Sequence, residues 1–397
     1  MSPSTTVSTT PPATRLPIAA LSVFALLGFV LISTETMPAG ILPQIAGGMD
    51  TSVGLAGQLV SAYALGTVLI TIPAITLTRS RRRKPLFLAG TVLFVVANTI
   101  TAISSDIALS LVSRFIAGGL SGMLWGMFAG YAVRITPPSL TGRALSIVAT
   151  GAPVGIAFGT PLGTWLGTTF DWRWSFGGLT IITLAVLALA ALLLPDAPGQ
   201  GAMGRLPLTR VLKIPGVAAI LMVIFAWMLG NSTTYTYITP YLEAARSGVS
   251  IELLLVVFGI ASIGGIAMTA TFIDKAPRAL VVLSLIAFAS GGLILCVGHR
   301  WPVAIYAGAV LWGMGFGGAS PQMQRPLTAV SGENADVANS FLPVAFNLAI
   351  FGAGVLGALL LTNADGLILP LTMTASGVAA LIVVVAFRSS IYPARRR

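Results

Sequence analysis

The apolar residues of this chain come in long, nearly unbroken stretches, and that pattern restricts its fold more than any other feature. A helix that crosses a bilayer needs about 20 consecutive, mostly apolar residues. Cutting the sequence at its charges, prolines and polar clusters leaves such stretches near 17–42, 53–78, 85–104, 107–134, 143–168 and 173–195. A polar segment from Asp196 to Lys213 intervenes, and six more stretches follow near 216–243, 252–273, 278–298, 301–322, 337–362 and 366–388. Charged residues are only 8% of the 397 positions, and mean hydropathy is +0.94. A water-soluble domain carries about 25% charged residues, so most of this surface must face lipid. The 44 glycines fit the same reading, because small residues let membrane helices approach closely. The expected fold is an all-α membrane protein of twelve transmembrane helices, with the lipid bilayer as its principal partner.

Topology follows from where the charges sit. With the N-terminus inside and the spans alternating, three basic residues (Arg173, Arg246 and Arg300) fall in outer loops, and Arg114 falls within a span. The rest of the 22 lie on inner segments, among them Arg79, Arg81, Arg82, Arg83 and Lys84 after span two. This is the asymmetry of the positive-inside rule. It places both termini in the cytoplasm and makes the net charge of +11 a topology signal facing anionic lipid, with no nucleic-acid partner required. The apolar run from Leu16 is too long for the core of a cleaved signal peptide and is read as span one.

A trace of repetition divides the chain. The loop after span two begins at Thr78 and the loop after span eight at Asp274, 196 residues apart, about half the chain. The expected organisation is a Ser/Thr/Pro-rich disordered tail (1–15), a six-helix half (16–195), a linker (196–214), a second six-helix half (215–389) and a basic tail (390–397). Two pseudo-symmetric halves of this kind hold a substrate between them near the midplane of many secondary transporters.

Motifs spread over nearly the whole chain carry a resemblance. Span one contains Glu35-Thr36-Met37-Pro38-Ala39-Gly40-Ile41-Leu42-Pro43, and span four Arg114-Phe115-Ile116-Ala117-Gly118. Span five carries Gly155, Gly159, Thr160, Pro161, Leu162 and Gly163; Trp172-Arg173-Trp174-Ser175-Phe176 precedes span six. Tyr235-Thr236-Tyr237-Ile238-Thr239-Pro240-Tyr241-Leu242 and Phe346-Asn347-Leu348 mark spans seven and eleven. Together these resemble the major facilitator superfamily, and within it the proton-coupled drug and arabinose-type sugar efflux permeases. Two departures stand out: Thr160 takes a place where glycine is usual, and the loop after span two has Ala74, Thr78 and Arg81 where the family has glycine, aspartate and glycine. In the family that aspartate helps latch the cytoplasmic side, so Thr78, Arg79 and Arg82 imply a weaker latch or a neutral hydrogen bond through Thr78. Asp274 and Arg278 retain the pattern in the second half. The resemblance further implies a monomer, while compact loops and no organelle signal make a bacterial inner membrane the expected location.

Glu35 is the one carboxylate placed well inside a span, and an intramembrane ionisable group marks a functional site by default. Its expected partner is Arg114, because both lie about seven residues, roughly 10 Å, below the outer ends of their helices. Burial favours the protonated carboxyl and a nearby guanidinium the ionised one. A carboxylate held between those pulls can exchange protons as a cavity opens to either side. The alternatives are a static ion pair or an outward-snorkelling side chain. Asn231, Thr234 and Tyr235 share a face of the polar stretch in span seven and are candidate substrate contacts, with interhelical hydrogen bonding as the competing role. Asn347, roughly 15 Å deep in span eleven, and Tyr63 in span two are further substrate candidates, whereas Trp125 and Trp312 are read as packing residues. Gly151, Gly155, Gly159 and Gly163 lay a bare stripe along span five, with Pro153 and Pro161 as kink sites. The resemblance adds that this surface helps seal the cavity of exporters.

Other function classes lack their machinery. One histidine (His299) and one cysteine (Cys296) leave no metal or disulfide framework, and no nucleotide loop or hydrolase motif is present. An enzyme and a channel with a repeated filter or charged ring are therefore set aside, and neither cofactor nor metal is expected. What the resemblance implies is export of a small neutral or amphipathic compound, a drug or a sugar, in exchange for protons, with an uptake carrier or facilitator for a sugar or nucleoside as the alternative.

Overall fold

The computed structural model describes residues 16–78, 80–199 and 211–392, leaving the predicted N-terminal tail, residues 393–397 of the basic tail, Arg79, and Arg205 and Arg210 of the linker outside the described residues. Twelve helices are long and apolar enough to cross a membrane: Ile18–Gly40, Val53–Ile75, Arg83–Ile103, Ile107–Arg134, Thr141–Thr169, Trp172–Leu193, Val217–Thr236, Ile251–Phe272, Pro277–Val297, Pro302–Ser331, Ala338–Asn363 and Gly366–Ala386. They are called spans one to twelve. Among the described residues there is no strand. Two spans depart from their expected limits. Span seven stops at Thr236, and a short helix, Ile238–Ala245, covers its end. Span ten continues past residue 322 to Ser331, because its second half is a two-faced helix that buries Gln322, Met323 and Leu327 while exposing Ser320, Gln324 and Thr328.

Span five is built in pieces. Its helical turns Thr141–Ala149 and Gly151–Val154 give way to a π turn, Gly155–Gly159, before helix resumes at Thr160–Thr169. Pro161 accounts for the widening: its ring would collide with the carbonyl four residues back, at Ala157, and it has no N–H to donate there. The glycine stripe lies against span one. A Cβ at Gly151 would strike the Ala25 carbonyl, one at Gly155 the Ile32 side chain, and one at Gly159 the Ser33 hydroxyl. At Gly163 it would come within 2.6 Å of Met37. Span one is itself irregular here, passing from α-helix (Ile18–Thr36) into the 3-10 turn Met37–Gly40.

Spans one to six meet spans seven to twelve at the end of the bundle away from the arginine-rich loops. There the Thr239 hydroxyl donates to the Ala39 carbonyl (2.9 Å), the Gln58 amide to the Gly354 carbonyl (3.0 Å) and the Thr168 hydroxyl to Glu252 (3.0 Å). Tyr237 Oη donates to the Gly354 carbonyl at 2.7 Å and reaches that of Gly54 at 3.4 Å. At the basic end, the ion pairs stay within one set of six: Arg82 with Asp196, and Arg325 with Asp274 at 3.2 Å.

The loop after span two is thus held by a carboxylate from the segment after span six. Asp196 also accepts from the Lys84 amide (3.2 Å), and Arg83 donates its amide to the Ala197 carbonyl (2.8 Å). The Thr78 hydroxyl instead donates to Ala74 in its own helix, at 2.6 Å. Asp196→Ala is expected to quicken hydrogen exchange at the Lys84 amide several-fold, the effect of losing one charge-assisted bond of about 1–2 kcal/mol. An unchanged Lys84 exchange rate, measured by mass spectrometry, would show that this carboxylate does not hold the loop.

Candidate functional site

A cavity of about 100 Å³ lies where the two sets of spans face each other. Glu35 and Thr36 of span one, Val60 of span two and Ile156 of span five form one wall. Asn231, Ser232 and Tyr235 of span seven, with Phe258, Phe316 and Ile350 of spans eight, ten and eleven, form the other. Glu35 occupies the last turn of the α-helical part of span one, just before the 3-10 turn. Beyond a turn at Gly318, span ten exposes Ser320, Gln324 and Thr328, a four-residue spacing that lays a polar stripe toward the basic end.

Behind Glu35 sits Arg114, 0% exposed. Its helix starts at Asp106, whose carboxylate caps the Ala108 and Leu109 amides and fixes where span four begins. The guanidinium lies 4.4 Å from the Tyr63 ring centre and 5.6 Å from that of Phe176. Its Nε donates to the Leu59 carbonyl at 3.4 Å, while both terminal nitrogens are buried without a hydrogen-bond partner. Glu35, Tyr63 and Arg114 stand within electrostatic reach of one another. Among the described residues, however, no ion pair joins Glu35 to Arg114. Glu35 lines the cavity, and Arg114 lies buried behind it without bridging to it. Tyr63 is buried and directs its hydroxyl to the Leu31 carbonyl at 3.4 Å.

The opposite wall is aromatic. Trp312 packs on Phe258 (4.4 Å between ring centres), and Tyr235 meets Phe258 at 5.4 Å. Trp312 also donates its indole N–H to Asn231 Oδ1 at 2.8 Å. That bond fixes the orientation of the amide. The Tyr235 hydroxyl is buried beside the hydroxyls of Thr160 and Thr36.

The structure therefore gathers Glu35, Asn231 and Tyr235 around one cavity, with Arg114 and Tyr63 behind the carboxyl. Thr234 turns away and donates to the Leu369 carbonyl at 3.4 Å. Asn347 does not line the cavity. It donates to Pro343 at 3.0 Å, leaves Oδ1 buried without a partner, and sits one turn toward the basic end from Ile350. Gly155, Gly159 and Gly163 serve the seam with span one, Pro161 follows the π turn in the first turn of the resumed helix, and Gly155–Gly159 brings Ala157 against Gly259 of span eight. Asp274 pairs with Arg325, and Arg278 lies close enough to Tyr392 to act on it electrostatically. Thr36, Ser232, Phe258 and Phe316 were not anticipated; Thr36 had a signal in its place beside Glu35, and Ser232 in the polar stretch of span seven. Among the described residues no three of His, Cys, Asp and Glu converge as a metal site would require.

Comparison with known proteins agrees with this geometry. Residues 24–324 match the family description Major Facilitator Superfamily. A probable sugar efflux transporter of Helicobacter acinonychis (strain Sheeba) is 26% identical over 349 residues, 87% of this chain and 89% of that one. A chloramphenicol efflux pump of Mycobacterium tuberculosis (strain ATCC 25618 / H37Rv) is 27% identical over 388 residues, 94% of each chain. Among solved structures, a point mutant of the nucleoside transporter NupG superposes with a TM-score of 0.76 at 14% identity, covering 94% of this chain and 99% of that one. A point mutant of the peptide transporter POT, in complex with alafosfalin, does so with 0.73, also at 14% identity, over 93% of both. Twelve spans, a cavity between two sets of six, and a family match across three quarters of the sequence lead to one assignment: the chain is a multi-pass membrane transporter belonging to the Major Facilitator Superfamily.

Proposed function

We propose that this protein exports a small neutral or amphipathic compound across a bacterial cytoplasmic membrane in exchange for protons, by alternating access. The observation that carries the reading is Glu35, the one carboxylate lining the cavity, set before a buried guanidinium with two unpartnered nitrogens. An intramembrane carboxyl that faces a cavity but is not locked in an ion pair can take a proton from one side and release it to the other. Relatives named as sugar and chloramphenicol efflux proteins favour export over uptake. The scarcity of charge in the cavity favours a substrate without multiple charges.

In this reading the arginine-rich end is cytoplasmic, with both termini, and the polar stripe of span ten is the way in from the cytoplasm. The two halves, 16–195 and 215–389, rock about the cavity as single bodies in a monomer, tethered by 196–214. Asn231 and Tyr235 contact the substrate from the second half, and Asn347 lies on its path. Asp274 with Arg325, and Arg82 with Asp196, brace the cytoplasmic loops of each half.

The test is proton movement in proteoliposomes under an imposed pH gradient, with chloramphenicol and arabinose as probes. Wild type is expected to dissipate the gradient on addition of one probe, whereas Glu35→Gln, of the same shape, does not, while remaining monodisperse. A Glu35→Gln protein that still exchanges protons for the probe would remove Glu35 from the coupling role. Probe flux with no proton movement in wild type would replace antiport by facilitated diffusion.

A further inference from the structure

Span one and span five are each irregular at one place, and the two places touch. Span one leaves α-helical geometry after Thr36, and span five widens into its π turn immediately before Thr160. The contact is a pair of hydroxyls: Thr36 Oγ1 and Thr160 Oγ1 lie 2.6 Å apart. Thr36 has an acceptor of its own, the Ile32 carbonyl at 2.8 Å. With that proton committed, Thr160 is the donor of the pair.

Thr160 has a second acceptor within reach, the Gly155 carbonyl at 3.5 Å, which belongs to the π turn. Ser33 reaches the same carbonyl at 3.5 Å but has a nearer acceptor in Phe29, at 2.7 Å. One hydroxyl proton thus stands between two arrangements: bonded to span one beside Glu35, or turned back onto the carbonyl of the π turn. Ala157, inside that turn, abuts Gly259 of span eight, where a Cβ would come within 2.6 Å of the Ala157 Cα. A line of contact therefore runs from Thr36, which follows Glu35 in span one and lines the same cavity, through Thr160 and the π turn to the opposite half. π turns inside α-helices are frequent at functional sites, and a local shift in hydrogen bonding is enough to gain or lose one.

We infer that Thr160 is a positioning residue that passes the protonation state of Glu35 to span five, and through the π turn to the seam with span eight. The inference rests on the reading of Glu35 as the coupling site and adds the route by which its charge moves helices. The groups facing Glu35 are Arg114 from span four, Tyr63 from span two and Tyr235 from span seven. Thr160 stands beside the Tyr235 hydroxyl as well. Span five brings no charge of its own to this place, so whatever it receives from Glu35 must come through hydrogen bonding and packing. The usual glycine at this position has no hydroxyl to receive it.

The experiment uses the full chain in lipid nanodiscs, with Cys296→Ser and spin labels on Ser146→Cys and Thr271→Cys, exposed positions at the basic ends of spans five and eight. The label-to-label distance distribution is recorded between about pH 5 and pH 9, the range a buried carboxyl can be shifted into. Wild type is expected to move between two distances, and Glu35→Gln to stay in one. Thr160→Val keeps the shape but removes the hydroxyl, and is expected to lose at least half of the pH-driven change. Thr160→Ser is expected to keep it. Thr36→Val, which breaks the pair from the other side, should match Thr160→Val. If Thr160→Val and Thr36→Val follow wild type while Glu35→Gln is flat, the hydroxyl pair is packing only and the coupling role of Glu35 stands. If Thr160→Ser fails along with Thr160→Val, the hydroxyl is not the agent and the inference falls. A wild type without any pH response overturns both readings.

Discussion

Arg114→Met is expected to abolish proton-driven transport while leaving the protein at least as stable as wild type. The guanidinium is enclosed by protein, with one long hydrogen bond to Leu59, the Tyr63 ring 4.4 Å away, and two terminal nitrogens without partners. A buried charge in that condition costs several kcal/mol, of which the cation–π contact returns about 2 kcal/mol. Methionine fills a similar volume and its sulfur packs well beside aromatic rings such as Tyr63 and Phe176. Stability should rise by about 1–3 kcal/mol, as it often does when buried charge gives way to well-packed apolar groups. Transport should fall to background, because the proposed coupling carboxyl then has no cation beside it. Arg114→Lys should recover part of the activity, its ammonium being a point charge rather than a plane stacked on Tyr63. Melting temperature and proton-driven exchange on the same preparations decide it. A large loss of stability in Arg114→Met, or transport that survives, would make this arginine a structural residue.

Gly118→Val should have the largest effect on folding. A Cβ at Gly118 would meet the Tyr63 carbonyl, and one at Gly66 the Phe115 carbonyl, so spans two and four touch backbone to backbone in both directions. The Thr67 hydroxyl further ties the Gly118 carbonyl at 2.9 Å. None of the carbonyls belongs to a side chain that could rotate away, so the helices must separate. Overpacking of this kind costs about 1–3 kcal/mol, and more where backbone must move. Separation would also carry Tyr63 away from Arg114. The expected outcome is a strongly reduced monodisperse yield in detergent and a lower melting temperature. Gly264→Ala in span eight is the control: its Cβ would have no neighbour within 4 Å, and helix propensity there favours alanine by about 0.5–1 kcal/mol. Equal behaviour of the two variants would mean that the close approach at Gly118 is not required.

The spans were legible wherever hydrophobicity was uniform and the ends were marked. Span four is observed as expected, Ile107–Arg134, because Asp106 caps it and Arg134 closes it. Span ten outran its expected limit because its second half faces both protein and the polar stripe, so it does not read as apolar. Glu35 and Arg114 were legible because an ionisable group inside a span has few ordinary explanations. Phe258 and Phe316 were not, since a cavity phenylalanine and a lipid-facing one are the same letter and only tertiary packing separates them. Thr234 shows the limit of a helical face: it lies about 100° from Tyr235 around the axis, far enough to point at span twelve instead of the cavity. The brace on the loop after span two came from Asp196, more than a hundred residues away in sequence, where local pattern has no reach.

The hydrogen bonds that close the bundle at the end away from the arginines have an electrical meaning. Tyr237, Thr239 and Gln58 all donate to backbone carbonyls, and the carboxylate that takes part, Glu252, accepts from Thr168 at the rim. Breaking that clasp moves almost no formal charge through the membrane, so the transmembrane voltage does little work on it. One elementary charge crossing 100 mV is worth about 2.3 kcal/mol, and under proton antiport that work falls on the steps in which Glu35 carries or yields its proton. Exchange of a neutral compound for one proton is then electrogenic, and a cell that has lost its pH difference but kept its voltage retains a driving force for export.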